Sequence, residues 1–93
     1  MSGLNTEIEH KGTSLYIQTQ DKGFKAQYVE TLVYTTGKLL ISRKTSYTPY
    51  LDSPDLGEKI TEIIKEQHKK ILHEISKGKF DHFLTSEKKP ESS

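Results

Sequence analysis

Apolar side chains occupy both alternating sets of positions in the segment 28–34, which reads Tyr-Val-Glu-Thr-Leu-Val-Tyr. Successive side chains of a β-strand point to opposite faces of the sheet, so a strand here offers apolar surface on both faces. One long helical pattern follows it, and one helix covers one face. The pattern therefore predicts a sheet with one covered face and one face with apolar surface left over.

The first two strands are predicted to turn at Lys11-Gly12, because glycine supplies the positive φ that a two-residue hairpin turn requires. This turn sets Ile8 opposite Leu15 and Thr6 opposite Ile17, with the apolar members on one face. The other face then carries Glu7, Glu9, Tyr16 and Gln18.

Thr36-Gly37 is the corresponding turn of the second hairpin. It sets Tyr34 opposite Leu39 and Leu32 opposite Ile41. It also sets Glu30 opposite Arg43, an opposite-charge pair that stabilises by ~0.2–1 kcal/mol. This register predicts a stronger apolar face of Tyr28, Leu32, Tyr34, Leu39 and Ile41, and a weaker face of Val29, Val33 and Leu40.

A helical period follows the strands, with one apolar stripe formed by Ile60, Ile63, Ile64, Ile71, Leu72 and Ile75. Its start is signalled by Ser53 before Pro54, or by Asp55 with Glu58 as a capping box, and its end by Gly78. Roughly 23 residues make a helix of ~35 Å, against ~26 Å for a strand of eight residues. The helix is therefore expected to overhang its sheet.

These elements predict an α+β fold: a four-stranded antiparallel β-meander followed by one long C-terminal α-helix. The helix is expected on the face that holds Leu15, Ile17, Leu32, Tyr34 and Ile41. Residues 1–84 form one domain in this interpretation, with Phe80, Phe83 and Leu84 docked back on it. Residues 85–93 contain no apolar side chain and are predicted to be a disordered tail.

Composition removes several classes of function. The 93 residues include no cysteine, which excludes disulfides and thiolate sites. The net charge of +1 gives no sign of a polyanion-binding surface. Neither a signal peptide nor a membrane-spanning run is evident, so a cytoplasmic protein without membrane contact is expected.

No catalytic, cofactor or metal motif emerges, and the sequence predicts that the protein is not an enzyme and needs no cofactor. His68 and His73 are five residues apart, so they point to different sides of a helix and do not form a metal-binding pair. Gln67 and His68 interrupt the apolar stripe, which is typical of a hydrogen-bonded polar break in a core. Together with Arg43 they form a candidate polar site.

Nucleic-acid binding is the alternative function. Aromatic side chains on the sheet could stack bases while nearby basic groups contact phosphates, and these residues are Tyr16, Phe24, Tyr28, Tyr34, Lys22, Lys25, Arg43 and Lys44. The loop from Lys22 to Lys25 belongs to this interpretation as well. Acidic residues interrupt the same region, which weakens the hypothesis because phosphate binding depends on concentrated positive charge.

Protein association is the leading hypothesis. The leftover apolar face would form a contact surface, and pairing with a second copy is the simplest way to cover it. The candidate contact residues are Tyr16, Val29, Val33, Leu40, Phe80 and Phe83. The expected function is thus a small assembly or adaptor module, homodimeric through the second sheet face or the projecting helix end, or bound to another protein.

Several runs of the chain are similar to short bacterial proteins of uncharacterised function. They are the segments 18–23, 30–34, 37–40, 42–47, 67–69 and 78–81, so the likeness covers about residues 13–81. The resemblance implies a bacterial cytoplasmic module and supplies no activity. It marks Gln67 and His68 as worth testing beyond a packing role.

Overall fold

The computed structural model describes residues 3–82 and confirms the α+β fold, a four-stranded antiparallel meander in the order β1-β2-β3-β4 followed by a helix packed against it. The strands are β1 (Gly3–His10), β2 (Thr13–Asp21), β3 (Tyr28–Thr35) and β4 (Lys38–Ser46). A single 3₁₀ turn (Thr48–Tyr50) leads to the helix α1 (Leu56–Ser76). The predicted domain boundary, the tail 85–93, Phe83 and Leu84 lie outside the described residues.

The first hairpin has the predicted register. Lys11 and Gly12 both have positive φ, at 53° and 79°, as a tight turn whose twist matches the strands requires. Ile8 pairs with Leu15, and Thr6 pairs with Ile17. Turn chemistry and the alternation of polar and apolar residues agree here, and together they fix the pairing.

The second hairpin turns at Thr36-Gly37 and pairs Tyr34 with Leu39, as predicted. A bulge then shifts the register, because Leu40 has no partner and Ile41 pairs with Val33. The predicted pairing of Leu32 with Ile41 is therefore wrong. Beyond the bulge the pairs are Leu32 with Ser42, Thr31 with Arg43 and Glu30 with Lys44, so the predicted pairing of Glu30 with Arg43 is also wrong.

The assignment of β3 to its two faces is corrected as well. Val29 and Val33 are buried under α1, whereas Leu32 and Tyr34 lie on the outer face, opposite the prediction. The reason is that the same alternate positions carry Thr31, whose hydroxyl accepts a hydrogen bond from the Gln67 side chain of the helix. Hydrogen-bonding demand from the helix outweighs the larger apolar area of the other set of positions.

Leu40 and Ile41 both pack against the inner core, although they are consecutive in the strand. The bulge makes this possible, since the extra residue breaks the strict alternation of side chains. The placement of Ile41 on the helix-covered face is confirmed, and the placement of Leu40 on the opposite face is wrong.

The helix begins after Asp55 and ends before Lys77 and Gly78, close to the predicted limits. Asp55 makes no capping hydrogen bond through its side chain, so the predicted capping box does not form. Gly78 has a φ of 82°, and the amides of Gly78 and Lys79 bond to carbonyls of the last turn. With 21 residues α1 is about 31 Å long, close to the ~30 Å of a nine-residue strand, which removes most of the expected overhang.

The segment after α1 returns to the first hairpin. Phe80 packs half-buried against the core, as the sequence predicted. Asp81 accepts hydrogen bonds from Lys11 at 2.7 Å and from His10 at 2.8 Å. The bonds from Lys11 and His10 hold the pKa of Asp81 below its usual value of 3.8. This contact fastens the end of the helix to the β1–β2 turn.

Two apolar clusters make up the core. One contains Leu15, Ile17, Val33, Ile71 and Ile75, and the other contains Val29, Tyr47, Ile60 and Ile64. Tyr47 is fully buried, and its hydroxyl donates a hydrogen bond to Asp21 at 2.6 Å. Burial, with this bond, raises the pKa of Tyr47 to about 12. Between the clusters the helix presents Gln67 and His68.

Candidate functional site

A layer of hydrogen-bonded polar side chains separates the two apolar clusters. Each strand contributes one threonine, and the helix contributes two neighbouring polar residues. We call this set the polar layer: Thr6, Thr19, Thr31, Thr45, Gln67 and His68. It runs across the whole width of the sheet.

His68 lies at the β1–β2 end of the polar layer and is only 5% exposed. Its Nε2 is 2.7 Å from the hydroxyl of Thr6, and its Nδ1 is 2.8 Å from the hydroxyl of Thr19. Both ring nitrogens are therefore engaged by threonine hydroxyls. A histidine held in this way positions the helix on the sheet.

Gln67 lies at the β3–β4 end of the polar layer and is 7% exposed. Its side-chain NH₂ donates to the Thr31 hydroxyl at 2.9 Å and to the Arg43 carbonyl at 3.2 Å. Its side-chain oxygen accepts a hydrogen bond from the Thr45 hydroxyl. The amide thus joins the helix to both β3 and β4.

The hydrogen bonds of the polar layer have one arrangement that uses the hydroxyl protons of Thr19 and Thr31. Since Thr31 accepts from Gln67, its own proton is free to go to Thr19, 2.7 Å away. Thr19 then donates to Nδ1 of His68, which leaves Nε2–H to donate to Thr6. This arrangement requires a neutral His68 with its proton on Nε2.

Burial lowers the pKa of His68 from its usual value of 6.5. The polar layer gives the same result independently, because a protonated ring would donate from both nitrogens and Thr19 would have to reverse its hydrogen bond. The neutral form is therefore the one that fits the native structure. Both observations indicate that His68 has a structural role.

An open groove of about 700 Å³ lies between α1 and β4. The helix packs on β2, with β1 and β3 on either side, so β4 lies beyond its edge. We call this feature the α1–β4 groove. Its walls include Arg43, Thr45, Ile63, Gln67, Lys70 and His73.

Arg43 is fixed on the groove wall by a buried carboxylate. One guanidinium nitrogen lies 3.0 Å from Oε1 of Glu74, whose side chain is 10% exposed against 35% for Arg43. The hydrogen bond from Arg43 holds the pKa of Glu74 below its usual value of 4.5, although burial acts in the opposite direction. The predicted polar site is thus brought together in part: Arg43 and Gln67 share the groove, and His68 lies behind it in the core.

A second surface lies on the outer face of the sheet, opposite α1. Tyr16 pairs with Tyr34, and Tyr34 pairs with Leu39, so these three side chains form a row across β2, β3 and β4. Leu32 stands two residues from Tyr34 on the same face. We call these four residues the aromatic patch. Tyr16 is 42% exposed and Leu39 is 52% exposed.

The predicted contact residues are scattered by the fold. Tyr16 lies on the outer face, as expected. Val29 and Val33 are core residues, and Leu40 and Phe80 pack half-buried against the core, so these four do not form an exposed face. Phe83 lies outside the described residues. One sheet face is left uncovered by the helix, but its apolar side chains are Leu32, Tyr34 and Leu39 together with Tyr16.

Sequence reasoning missed the four threonines of the polar layer and Glu74. The strand pattern does indicate Thr19 and Thr31, because both occupy inward-facing positions in the alternation of their strands. Their partners lie up to 62 residues away along the chain, so the sequence alone did not connect them. Glu74 belongs to no motif in the sequence, and its partner Arg43 lies 31 residues away along the chain.

The chain matches no protein-family model, no curated protein and no solved structure. The likeness to short bacterial proteins therefore stays an expectation from the sequence. Within residues 3–82, no helix is both long enough and apolar enough to cross a membrane. In that same range, no three histidine, aspartate or glutamate side chains are grouped so that they could hold a metal ion.

Proposed function

We propose that this protein is a small non-catalytic interaction module that pairs with a second copy of itself through the aromatic patch. The observation that carries the proposal is the aromatic patch itself, four large apolar side chains grouped on the sheet face opposite the helix. Covering such a face by an identical one needs no further component. A cytoplasmic location in a bacterium belongs to the same proposal.

The chemistry of the aromatic patch suits a second copy. The patch contains no charged side chain, so a two-fold axis through it brings apolar groups together without placing like charges at the centre. Glu7 stands at one end of the row, next to Tyr16, and belongs to the rim. A polar rim around an apolar centre is the usual anatomy of a protein interface.

The size of the sheet limits the strength of the pairing. Four strands about 4.8 Å apart and about nine residues long present a face of roughly 500–600 Å². A standard interface buries about 800 Å² on each partner, so this face is at the small end. We therefore expect a reversible dimer whose population depends on protein concentration.

Light scattering coupled to size exclusion, at loading concentrations from micromolar to millimolar, tests the proposal. The wild-type mass should rise with concentration from 10.6 kDa toward twice that value. Leu32→Asp should stay monomeric, because it places a charge in the aromatic patch. Lys65→Gln, on the exposed side of α1, makes the same change of net charge as a matched control and should behave like the wild type. A wild-type monomer at all concentrations would refute self-association.

Single-strand nucleic-acid binding remains a second candidate, favoured by one observation. Tyr16, Tyr28 and Tyr34 share the outer face, and the ammonium group of Lys44 lies 5.0 Å from the centre of the Tyr28 ring. Glu30 occupies the same face, and Arg43 points to the opposite one, which weakens this candidate. Binding of a labelled oligonucleotide should then fall steeply as salt is raised. Self-association through apolar contacts should change little over the same range of salt concentration.

A further inference from the structure

The strand β4 lies at one edge of the sheet and carries backbone groups that pair with no fifth strand within residues 3–82. The helix rests on β1, β2 and β3, so the inward side chains of β4 border the α1–β4 groove. An edge strand beside an open groove can accept an extended segment, which pairs with the strand and sends alternate side chains into the groove.

The bulge limits where such pairing can occur. It lies at Leu40, near the start of β4, and bulges and lysines commonly protect an edge strand from pairing. The stretch from Ile41 to Ser46 follows the bulge and is regularly paired with β3 on its inner edge. Its other edge is available over six residues, the usual length of a strand.

The floor of the groove favours an extended segment over a small molecule. Both polar ends of the Gln67 side chain are already bonded, and Ile63 supplies apolar surface beside it. The groove is also open along its length, whereas a small-molecule site usually encloses most of its ligand. A strand paired with β4 would need only one of its faces covered.

The charges around the groove indicate an acidic segment. Arg43, Lys69 and Lys70 border it, and Glu66 is the single acidic side chain on the same wall. Glu74 balances Arg43 and holds it in place, and the remaining charges on this wall, Lys69 and Lys70 against Glu66, leave a net charge of +1. Complementary charge at the rim of an interface selects the partner and speeds association.

We infer that an acidic extended peptide segment of a partner protein binds as a fifth strand on β4, with apolar and acidic side chains sharing the alternate positions that face the groove. Its apolar side chains enter the groove over Ile63, and its carboxylates lie near Lys70 and Lys69. This surface is separate from the aromatic patch, so the inference does not depend on dimerisation. A protein that pairs through one face could then hold a partner peptide at its edge.

The probe is a fluorescein-labelled peptide of about six residues, the usual strand length, in which one set of alternate positions carries glutamate, valine and glutamate and the other set carries threonine. The same peptide with lysine in place of glutamate is the charge control, and an N-methylated acidic peptide is the backbone control. Binding is followed by fluorescence anisotropy, and the site is mapped by amide chemical shifts in NMR. The acidic peptide should bind saturably, shifting the amides of β4 and the side-chain amide of Gln67. The other two peptides should bind weakly.

Variants of the full chain separate the groove from general charge effects. Lys70→Glu should weaken binding of the acidic peptide by about threefold to tenfold at low salt and improve binding of the lysine peptide. Lys65→Glu makes the same change of net charge on the exposed side of α1, away from the groove, and should have little effect. Both residues are exposed, so both variants should keep the native amide spectrum.

Three results would overturn the inference. One is the absence of saturable binding at millimolar acidic peptide. Another is an equal loss of affinity in Lys65→Glu and Lys70→Glu. The third is a set of shifts confined to the aromatic patch, which would place the peptide on the proposed dimer surface. Because Leu32→Asp disrupts only that surface, it should bind the acidic peptide like the wild type, whether or not the wild type dimerises.

Discussion

The two faces of β3 differ in the kind of side chain and in what those side chains contact. The face under the helix carries Val29, Thr31, Val33 and Thr35, and the outer face carries Tyr28, Glu30, Leu32 and Tyr34. The inner side chains are small, β-branched and completely buried or nearly so. The outer ones are larger and remain partly exposed. Close packing and satisfied hydrogen bonds, rather than apolar area, decide which face the helix covers.

The largest effect should come from placing a charge on the inner face. Val33→Asp should lower the free energy of unfolding by about 3–5 kcal/mol, because the carboxylate would be buried without a partner. That is a large part of the total stability of a small domain. Urea unfolding followed by circular dichroism measures the change.

The neighbouring residue provides the matched control. Leu32→Asp adds the same charge one position earlier in β3 but on the outer face, where water can solvate it. We expect a loss of under about 1 kcal/mol at concentrations where the protein is monomeric. Equal losses in the two variants would contradict the assignment of the two faces.

A smaller effect should follow from removing one hydroxyl of the polar layer. Thr31→Val keeps the shape of the side chain but leaves the Gln67 NH₂ without its 2.9 Å acceptor. We expect a loss of about 1–3 kcal/mol in the free energy of unfolding, since an unsatisfied buried polar group is costly. Chemical denaturation at neutral pH measures it.

Thr35→Val is the comparison for that substitution. Its hydroxyl donates to the Ser14 carbonyl at 2.9 Å and has no role in the polar layer. We expect this variant to lose about 0.5–1.5 kcal/mol in the free energy of unfolding, the usual contribution of a single hydrogen bond. If Thr35→Val is as damaging as Thr31→Val, the connected layer has no special importance for stability.

Local signals in the sequence were sufficient for much of the fold. The β1–β2 register was predictable because the Lys11-Gly12 turn and the alternation of side chains gave the same answer. The helix limits were predictable from Gly78 and from the acidic and proline residues near the start. Both are local properties, and the sequence carries them within a few residues.

The register beyond the bulge and the contacts of the polar layer and the groove depended on segments that are distant in the sequence. A turn fixes the pairing next to it, but the bulge at Leu40 shifted every later pair and moved Arg43 to the inner side of the sheet. That shift brought Arg43 to Glu74 and into the same groove as Gln67. The polar break at Gln67 and His68 was recognised from the helix alone, whereas its threonine partners come from four strands.

Lowering the pH should reduce the free energy of unfolding because His68 is buried in its neutral form. Because burial lowers the native pKa of His68 from 6.5, the unfolded chain takes up a proton first as the pH falls. The contribution of His68 to the free energy of unfolding is therefore fully present above about pH 6.5 and falls progressively below that pH. It stops falling once the pH is below the lowered native pKa. Unfolding midpoints measured across this range should show the decline.

Variants identify the group responsible for the pH effect. In His68→Gln the decline just below about pH 6.5 should disappear. His73→Gln, which changes an exposed histidine on the same helix, should retain it. Glu74 and Asp81 also have lowered pKa values, but their stabilisation is lost at pH values below 4.5 and 3.8, so they do not contribute to the decline just below about pH 6.5. Persistence of the decline in His68→Gln would rule out His68 as its source.

The smallest effect should come from the outer face. Lys44→Gln removes a charge that lies 5.0 Å from the centre of the Tyr28 ring, and exposed contacts of this type contribute about 0.5–1 kcal/mol at most. Lys59→Gln, which removes a similar contact 5.7 Å from the Tyr50 ring, should match it. Urea unfolding at low protein concentration measures both. A loss above about 2 kcal/mol in Lys44→Gln alone would contradict the exposed outer face and indicate that Lys44 is buried in an assembly.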